Sequence, residues 1–123
     1  MLVLVDVLNH FNNIDDDEVL LLHVQSNTIY RRVEGSSSPN VVAGEHDFGC
    51  KYQNRAKRAE TVNDMNQCIA YLELALPHHR EAARIYRWIN HVGKAGWNLQ
   101  AVAKVEEKIR QVEAATAAAV ARG

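Results

Sequence analysis

The sequence predicts an α+β fold: a small N-terminal antiparallel β-sheet, built on a hairpin, followed by three helices, the last of them long and projecting. Residues 19–25 and 28–33 are rich in β-branched and aromatic side chains and flank a short polar turn, as the strands of a hairpin do. Farther along the chain, apolar side chains recur at intervals of three and four, which is helical spacing. We expect a single domain over residues 1–123, with a sheet-containing part in 1–50 and a helical part in 51–123.

The N-terminal part divides into a short helix and three strands. Helical spacing favours the helix over residues 2–13, with a strand at its beginning as the alternative. The first strand of the hairpin is apolar on both faces, and Ser26-Asn27 suits the tight turn between the two strands. Residues 41–43 add a short third strand. Because three strands are few, helices must cover this sheet.

The helical part contains three predicted helices. The first follows a weak capping box at Thr61 and Asp64, and Pro77 ends or kinks it. The second covers residues 79–92, and two glycines mark the break after it. The third covers residues 98–121 and is roughly 36 Å long. Since that length is more than twice the radius of gyration of a compact chain of this size, roughly 14 Å, we expect this helix to project.

The last predicted helix carries a narrow apolar stripe, which is typical of a seam between helices. The stripe contains Val102, Val105, Ile109 and Val112. Asn98 is expected to cap this helix at its beginning. The matching seam at residues 62–76 is shorter, so we predict that the chain forms a homo-oligomer through the stripe.

Charge is unevenly distributed although the net charge is only −1. Residues 1–50 carry eight acidic and two basic side chains, a balance of −6, whereas residues 51–94 carry eight basic and four acidic ones, a balance of +4. No stretch approaches the roughly 20 apolar residues of a membrane span, so we expect no membrane partner. The two cysteines form no disulfide framework. We therefore expect reduced thiols in a cytoplasmic protein.

Residues 45–50, EHDFGC, form the segment richest in reactive side chains. Histidine, aspartate and cysteine can bind zinc or support catalysis by a thiol. The remaining ligands that a zinc site needs are missing, and nothing marks a base for the Cys50 thiol. We therefore predict a polar loop with a partly buried thiol, no metal, no cofactor and no enzymatic activity.

A basic and aromatic face gives the stronger indication of function. Arginine side chains match the geometry of phosphate, and aromatic rings can stack on a base. The predicted ligand-binding residues are Arg31, Arg58, Arg84, Tyr86, Arg87 and His91. We expect them to hold an anionic, phosphate-bearing and nucleotide-like small molecule, with a nucleic-acid backbone as the less favoured ligand.

A small sheet followed by long helices with scattered arginines loosely resembles the small phage proteins that sequester nucleotide immune signals. The resemblance is one of architecture and includes no diagnostic motif. The predicted function is a non-catalytic homo-oligomer that holds or sequesters its ligand. The alternative is a structural or adaptor protein that acts through protein–protein contacts alone.

Overall fold

The fold is a helical bundle in residues 17–123, which are the residues that the computed structural model describes. About 90% of the structure is helical, and no strand occurs in this part of the chain. The four helices of residues 17–123 are α1 (Asp17–Glu34), α2 (Pro39–Thr61), α3 (Met65–Trp88) and α4 (Val92–Arg122). The main contacts join α2 to α3 and α3 to α4, while α1 packs on α2.

The predicted α+β class is wrong, because all three predicted strands are helical. Residues 19–25 and 28–33 belong to one continuous helix, α1, and residues 41–43 lie near the beginning of α2. Among the side chains of α1 that the structure describes, the buried ones are His23, Ser26, Asn27 and Tyr30. Most of this buried face is polar, so the apolar pattern of the segment does not mark the side that faces the core. The predicted short helix over residues 2–13 lies outside the described residues.

The resemblance to phage proteins has no basis in the structure, because the predicted sheet is absent from residues 17–123. It depended on a sheet followed by helices, and residues 17–123 contain helices alone. Nothing in the fold supports a nucleotide ligand or a phage origin.

Local sequence explains where α1 ends and α2 begins. Gly35 adopts a φ of 95°, a left-handed conformation that glycine accepts without strain, and its N–H bonds the carbonyl of Arg31. The Ser38 hydroxyl accepts a hydrogen bond from the N–H of Val41 at 3.2 Å. Pro39 occupies the first turn of α2, where a missing N–H costs nothing.

Helix α3 continues through Pro77, so the helix does not end there, and residues 62–76 and 79–92 do not form separate helices. Its N-cap is Asp64, whose carboxylate accepts from the N–H of Gln67 at 3.2 Å. The chain reverses at residues 89–91, where Asn90 has a φ of 63°. Asparagine tolerates this conformation better than most residues, and the turn therefore precedes the glycines that were expected to form it.

Two apolar clusters stabilise the bundle. The first lies between α2, α3 and α4 and contains Ala56, Ala59, Cys68, Leu72, Val105 and Val112. The second lies between α1, α2 and α3 and contains Tyr30, Val41, Val42, Ala82 and Ile85. Along α2 and α3, the clusters are separated by residues 45–53 and 77–79, which are mostly polar. These polar segments form the candidate site.

The predicted seam of α4 lies within the core of a single chain. Val102, Val105 and Val112 are at most 7% exposed, and Ile109 packs against the first apolar cluster. Helix α4 has 31 residues, about 46 Å, and none of its buried residues comes after Val112.

Candidate functional site

Three helices meet at the carboxylate of Glu45, in the middle of the bundle. Its side chain is only 9% exposed. From α1, it accepts hydrogen bonds from Nη2 of Arg31 at 2.6 Å and from Nδ2 of Asn27 at 3.2 Å. From α3, Nδ1 of His78 lies 2.7 Å from its other oxygen. Arg31, which was predicted to lie on a strand, therefore forms an ion pair with Glu45 inside the bundle.

These partners keep Glu45 ionised. Burial acts to raise the pKa of its carboxyl group, but the hydrogen bonds from His78 and Arg31 outweigh burial and hold that pKa below its ordinary value of 4.5. A buried carboxylate with several donors is well satisfied, so Glu45 joins α1 and α3 to α2.

Two glycines of α2 allow the neighbouring polar side chains to pack closely. A Cβ atom at Gly49 would lie 2.5–2.8 Å from three ring atoms of His79, which is fully buried. A Cβ atom at Gly44 would overlap the side-chain amide of Asn27. Nε2 of His79, one of the ring atoms nearest Gly49, also lies 2.7 Å from Oε1 of Gln53, so this edge of the imidazole is fixed against α2. Burial lowers the pKa of His79 and favours its neutral form.

A second chain of hydrogen bonds joins α4 to α2 through His46. Its Nδ1 lies 3.1 Å from Oδ1 of Asn98, and its Nε2 lies 3.6 Å from Sγ of Cys50. The Asn98 amide nitrogen donates to the carbonyl of Lys94 at 3.0 Å, which turns the amide oxygen towards His46. Because that oxygen can only accept, Nδ1 of His46 must carry a proton.

The surroundings of His46 favour its cationic form. The hydrogen bond with Cys50 raises the pKa of His46 to about 9, against the opposing effect of burial, and the bond to Asn98 acts in the same direction as Cys50.

Sequence reasoning missed this arrangement. Residues 45–50 were expected to form a loop, whereas they are helical, and helical spacing brings His46 and Cys50 together four residues apart. Asn98 was expected to cap the last helix, whereas it lies inside α4 and is 2% exposed. The spacing of His46 and Cys50 was a readable signal once the segment was known to be helical.

A small cavity of about 220 Å³ adjoins the hydrogen-bonded side chains of His46 and Asn98. It is lined by His46, Tyr86, Lys94, Trp97 and Asn98. The ammonium group of Lys94 lies 5.6 Å from the centre of the Tyr86 ring, in a cation–π contact. The cavity therefore combines two basic side chains with two aromatic ones.

A larger groove of about 410 Å³ lies between α3 and α4, and we call it the arginine groove. It is lined by Arg80, Ala83, Arg84, Arg87, Trp88 and Leu99. Arg84 bonds Glu81 on its own helix, and Arg80 lies 3.6 Å from Glu106 of α4.

The lining of the arginine groove also includes an aromatic residue. Trp88 is 76% exposed and lines the groove together with the three arginines.

The structure brings only some of the predicted ligand-binding residues together. Arg84 and Arg87 share the arginine groove. Tyr86 and His91 contact each other elsewhere, with ring centres 5.9 Å apart, and Tyr86 lines the small cavity. Arg58 lines a third cavity, of about 370 Å³, near Tyr71. Arg31 forms the ion pair with Glu45 described above. Whether any of them binds a ligand stays a prediction.

Comparison with protein-family models, curated proteins and solved structures finds no match to this chain. Within residues 17–123, no group of three His, Cys, Asp or Glu side chains is arranged to hold a metal ion. None of the helices in that part of the chain is both long and apolar enough to cross a membrane.

Proposed function

We propose that this chain is a non-catalytic binding protein for a small molecule that carries a phosphate group and an apolar or aromatic ring. The observation that carries the proposal is the arginine groove, where three guanidinium groups adjoin an exposed indole. Guanidinium groups bind phosphate through paired hydrogen bonds, and an indole offers a face on which a ring can stack. The volume of about 410 Å³ also falls within the usual range of ligand sites.

The charges of the groove favour a ligand with a single anionic group. Three arginines face two carboxylates, those of Glu81 and Glu106, which leaves one positive charge in excess. Arg84 is held by Glu81, so its guanidinium is already oriented. Leu99 and Ala83 supply apolar contacts for the remainder of the ligand.

Replacing Arg87 tests the proposal. Phenyl phosphate is a suitable probe, and we expect isothermal titration calorimetry to detect its binding to the wild-type protein. Arg87→Gln should weaken that binding by about tenfold or more, because a charge-assisted hydrogen bond is lost. Arg122→Gln makes the same charge change at an exposed position near the end of α4 and should leave the affinity unchanged.

Two results would contradict a phosphate site in the arginine groove. One is that phenyl phosphate gives no heat of binding to the wild-type protein. Phosphate and phenol, titrated separately, serve as reference ligands. The other is an equal loss of affinity in the Arg87→Gln and Arg122→Gln variants, which would indicate a general effect of charge.

We further propose that the chain is cytoplasmic and self-associates, and that α1 provides the contact surface. Both cysteines are free thiols, which suits a reducing compartment. Five large apolar side chains of α1 are 41–70% exposed: Leu21, Leu22, Val24, Ile29 and Val33. A cluster of exposed apolar residues marks a protein contact surface more often than a solvated one. The same observation supports the alternative, an adaptor that binds a different protein.

Sedimentation velocity separates these alternatives. We expect the wild-type protein to sediment as an oligomer, and Val33→Glu to shift it towards the monomer, because a charge would enter an apolar interface. Val120→Glu is the matched control, since Val120 is similarly exposed but lies near the end of α4. A wild-type protein that stays monomeric at every concentration would exclude self-association and leave the adaptor.

A further inference from the structure

We propose that Cys50 is a nucleophilic thiol that hydroperoxides modify, with His46 as its proton acceptor and Asn98 as the residue that positions the imidazole. The sulfur of Cys50 lies 3.6 Å from Nε2 of His46, and the opposite ring nitrogen is bonded to Asn98 at 3.1 Å. A nucleophile, a base and a residue that orients the base form the general pattern of an activated thiol.

The imidazole is held firmly in this arrangement. Asn98 is 2% exposed, and its bond to the Lys94 carbonyl fixes which of its atoms faces His46. The ring of His79 meets that of His46 edge-on, with their centres 6.0 Å apart. Nε2 of His46 is therefore directed at Cys50, whose side chain is only partly buried and open to small reagents.

The surroundings of the thiol favour a hydroperoxide over a carbonyl substrate. Cys50 lies in the middle of α2, where the backbone N–H groups are used by the helix itself. Without free N–H donors beside the sulfur, the oxyanion of a carbonyl addition would lack stabilisation. A hydroperoxide needs only a proton for its leaving oxygen, and protonated His46 can provide that proton.

The step balances without another reactant. In the reactive form, the thiol proton has already passed to Nε2 of His46, which makes the imidazole cationic, and the thiolate sulfur attacks one peroxide oxygen. An S–O bond forms while the O–O bond breaks, and the leaving oxygen takes the proton from His46. Hydrogen peroxide would thus convert Cys50 to a sulfenic acid and leave as water, with sulfur oxidised and peroxide reduced.

The second cysteine provides an internal reference. Cys68 is 1% exposed within the first apolar cluster, and burial raises the pKa of its thiol. It has no imidazole partner among the hydrogen bonds of residues 17–123. We expect the reaction to be a stoichiometric modification of Cys50, in keeping with a non-catalytic protein.

Several titratable groups surround His46 and bear on the pH dependence. Asp47 follows it on α2, and burial raises the pKa of that carboxyl group. His79 and Tyr86 face it from α3, and Lys94 from α4. From α1, His23 interacts with Asp47. A pH profile must therefore be compared between the wild-type protein and the His46 variant.

The test measures sulfenic acid at each cysteine. The wild-type protein is treated with hydrogen peroxide, the product is trapped with dimedone, and peptides are quantified by mass spectrometry. At neutral pH, we expect Cys50 to react about tenfold faster than glutathione and Cys68 to remain unmodified. Below neutral pH, the rate at Cys50 should fall much less steeply than the about tenfold per pH unit of an unassisted thiol.

Two variants distinguish assistance of the Cys50 thiol by His46 from a merely structural role of the imidazole. His46→Gln should slow the reaction by about tenfold or more and restore the steep pH dependence, while circular dichroism checks that the variant is folded. Asn98→Ala should change the pH profile in the same direction, because His46 loses its orienting partner. The proposal is overturned if wild-type Cys50 reacts no faster than glutathione, or if a folded His46→Gln variant keeps the wild-type rate and pH profile.

Discussion

Gly49→Ala is expected to lower the free energy of unfolding by about 2–3 kcal/mol, although the same change at Gly96 is expected to raise it by about 0.5–1 kcal/mol. Both glycines lie inside helices, so alanine gains the same helical propensity at each position. They differ in what the new methyl group meets. At Gly49 it would lie 2.5–2.8 Å from the His79 ring, whereas at Gly96 nothing lies within 4 Å.

The His79 ring has little room to retreat from such a methyl group. It is fully buried, and its Nε2 bonds Gln53 at 2.7 Å. Moving the ring would break that part-buried hydrogen bond, and its loss adds to the cost of overpacking.

Urea denaturation followed by circular dichroism measures both effects. Opposite signs for the Gly49→Ala and Gly96→Ala variants are the expected result. If Gly49→Ala is neutral or stabilising, α2 and α3 do not approach each other at His79 as described.

Glu45→Gln is expected to destabilise the fold by about 2 kcal/mol at neutral pH. Removing one member of a buried ion pair typically costs about 3–5 kcal/mol because its partners lose their compensation. The smaller figure takes account of the solvent that reaches the partners, since the Arg31 and His78 side chains are 31% and 29% exposed.

The destabilisation by Glu45→Gln should depend on pH. The pKa of Glu45 is lower in the folded protein than its ordinary value of 4.5, so the carboxylate stabilises the fold above that value. This contribution is lost as the pH falls through the folded pKa and the group takes up a proton.

Denaturation curves at several pH values check this behaviour. The wild-type protein and the Glu45→Gln variant should differ most near neutral pH and converge in acid. A constant difference across this range would mean that the Glu45 charge does not contribute to stability.

The helices of residues 51–123 could be predicted from the sequence, because most of their buried positions are apolar. Helical spacing at residues 62–76 and 98–121 identified the side chains that α3 and α4 bury against each other, including Leu72 and Val105. Helix α1 could not be identified in this way. Its inward face carries His23, Ser26 and Asn27 beside Tyr30, and apolar residues such as Val33 lie outside, so hydropathy does not mark the buried face.

The candidate site could be predicted only where its residues share one helix. Arg84 and Arg87 line the same groove because they lie three positions apart on α3. Leu99 of α4 completes the arginine groove, and no pattern in the neighbouring sequence predicts that α4 contributes to it. His46 and Asn98 are 52 residues apart in sequence, so only the packing of α4 on α2 and α3 brings them together.

The most direct test of the polar interior is long-range ¹H–¹⁵N NMR of the histidine side chains. At neutral pH, His46 should be protonated on both ring nitrogens, with a pKa of about 9. His79 should stay neutral at a pH where an ordinary histidine is half protonated, because burial lowers its pKa below 6.5. Titration of both rings near 6.5 would contradict the hydrogen bonds and the burial that surround them.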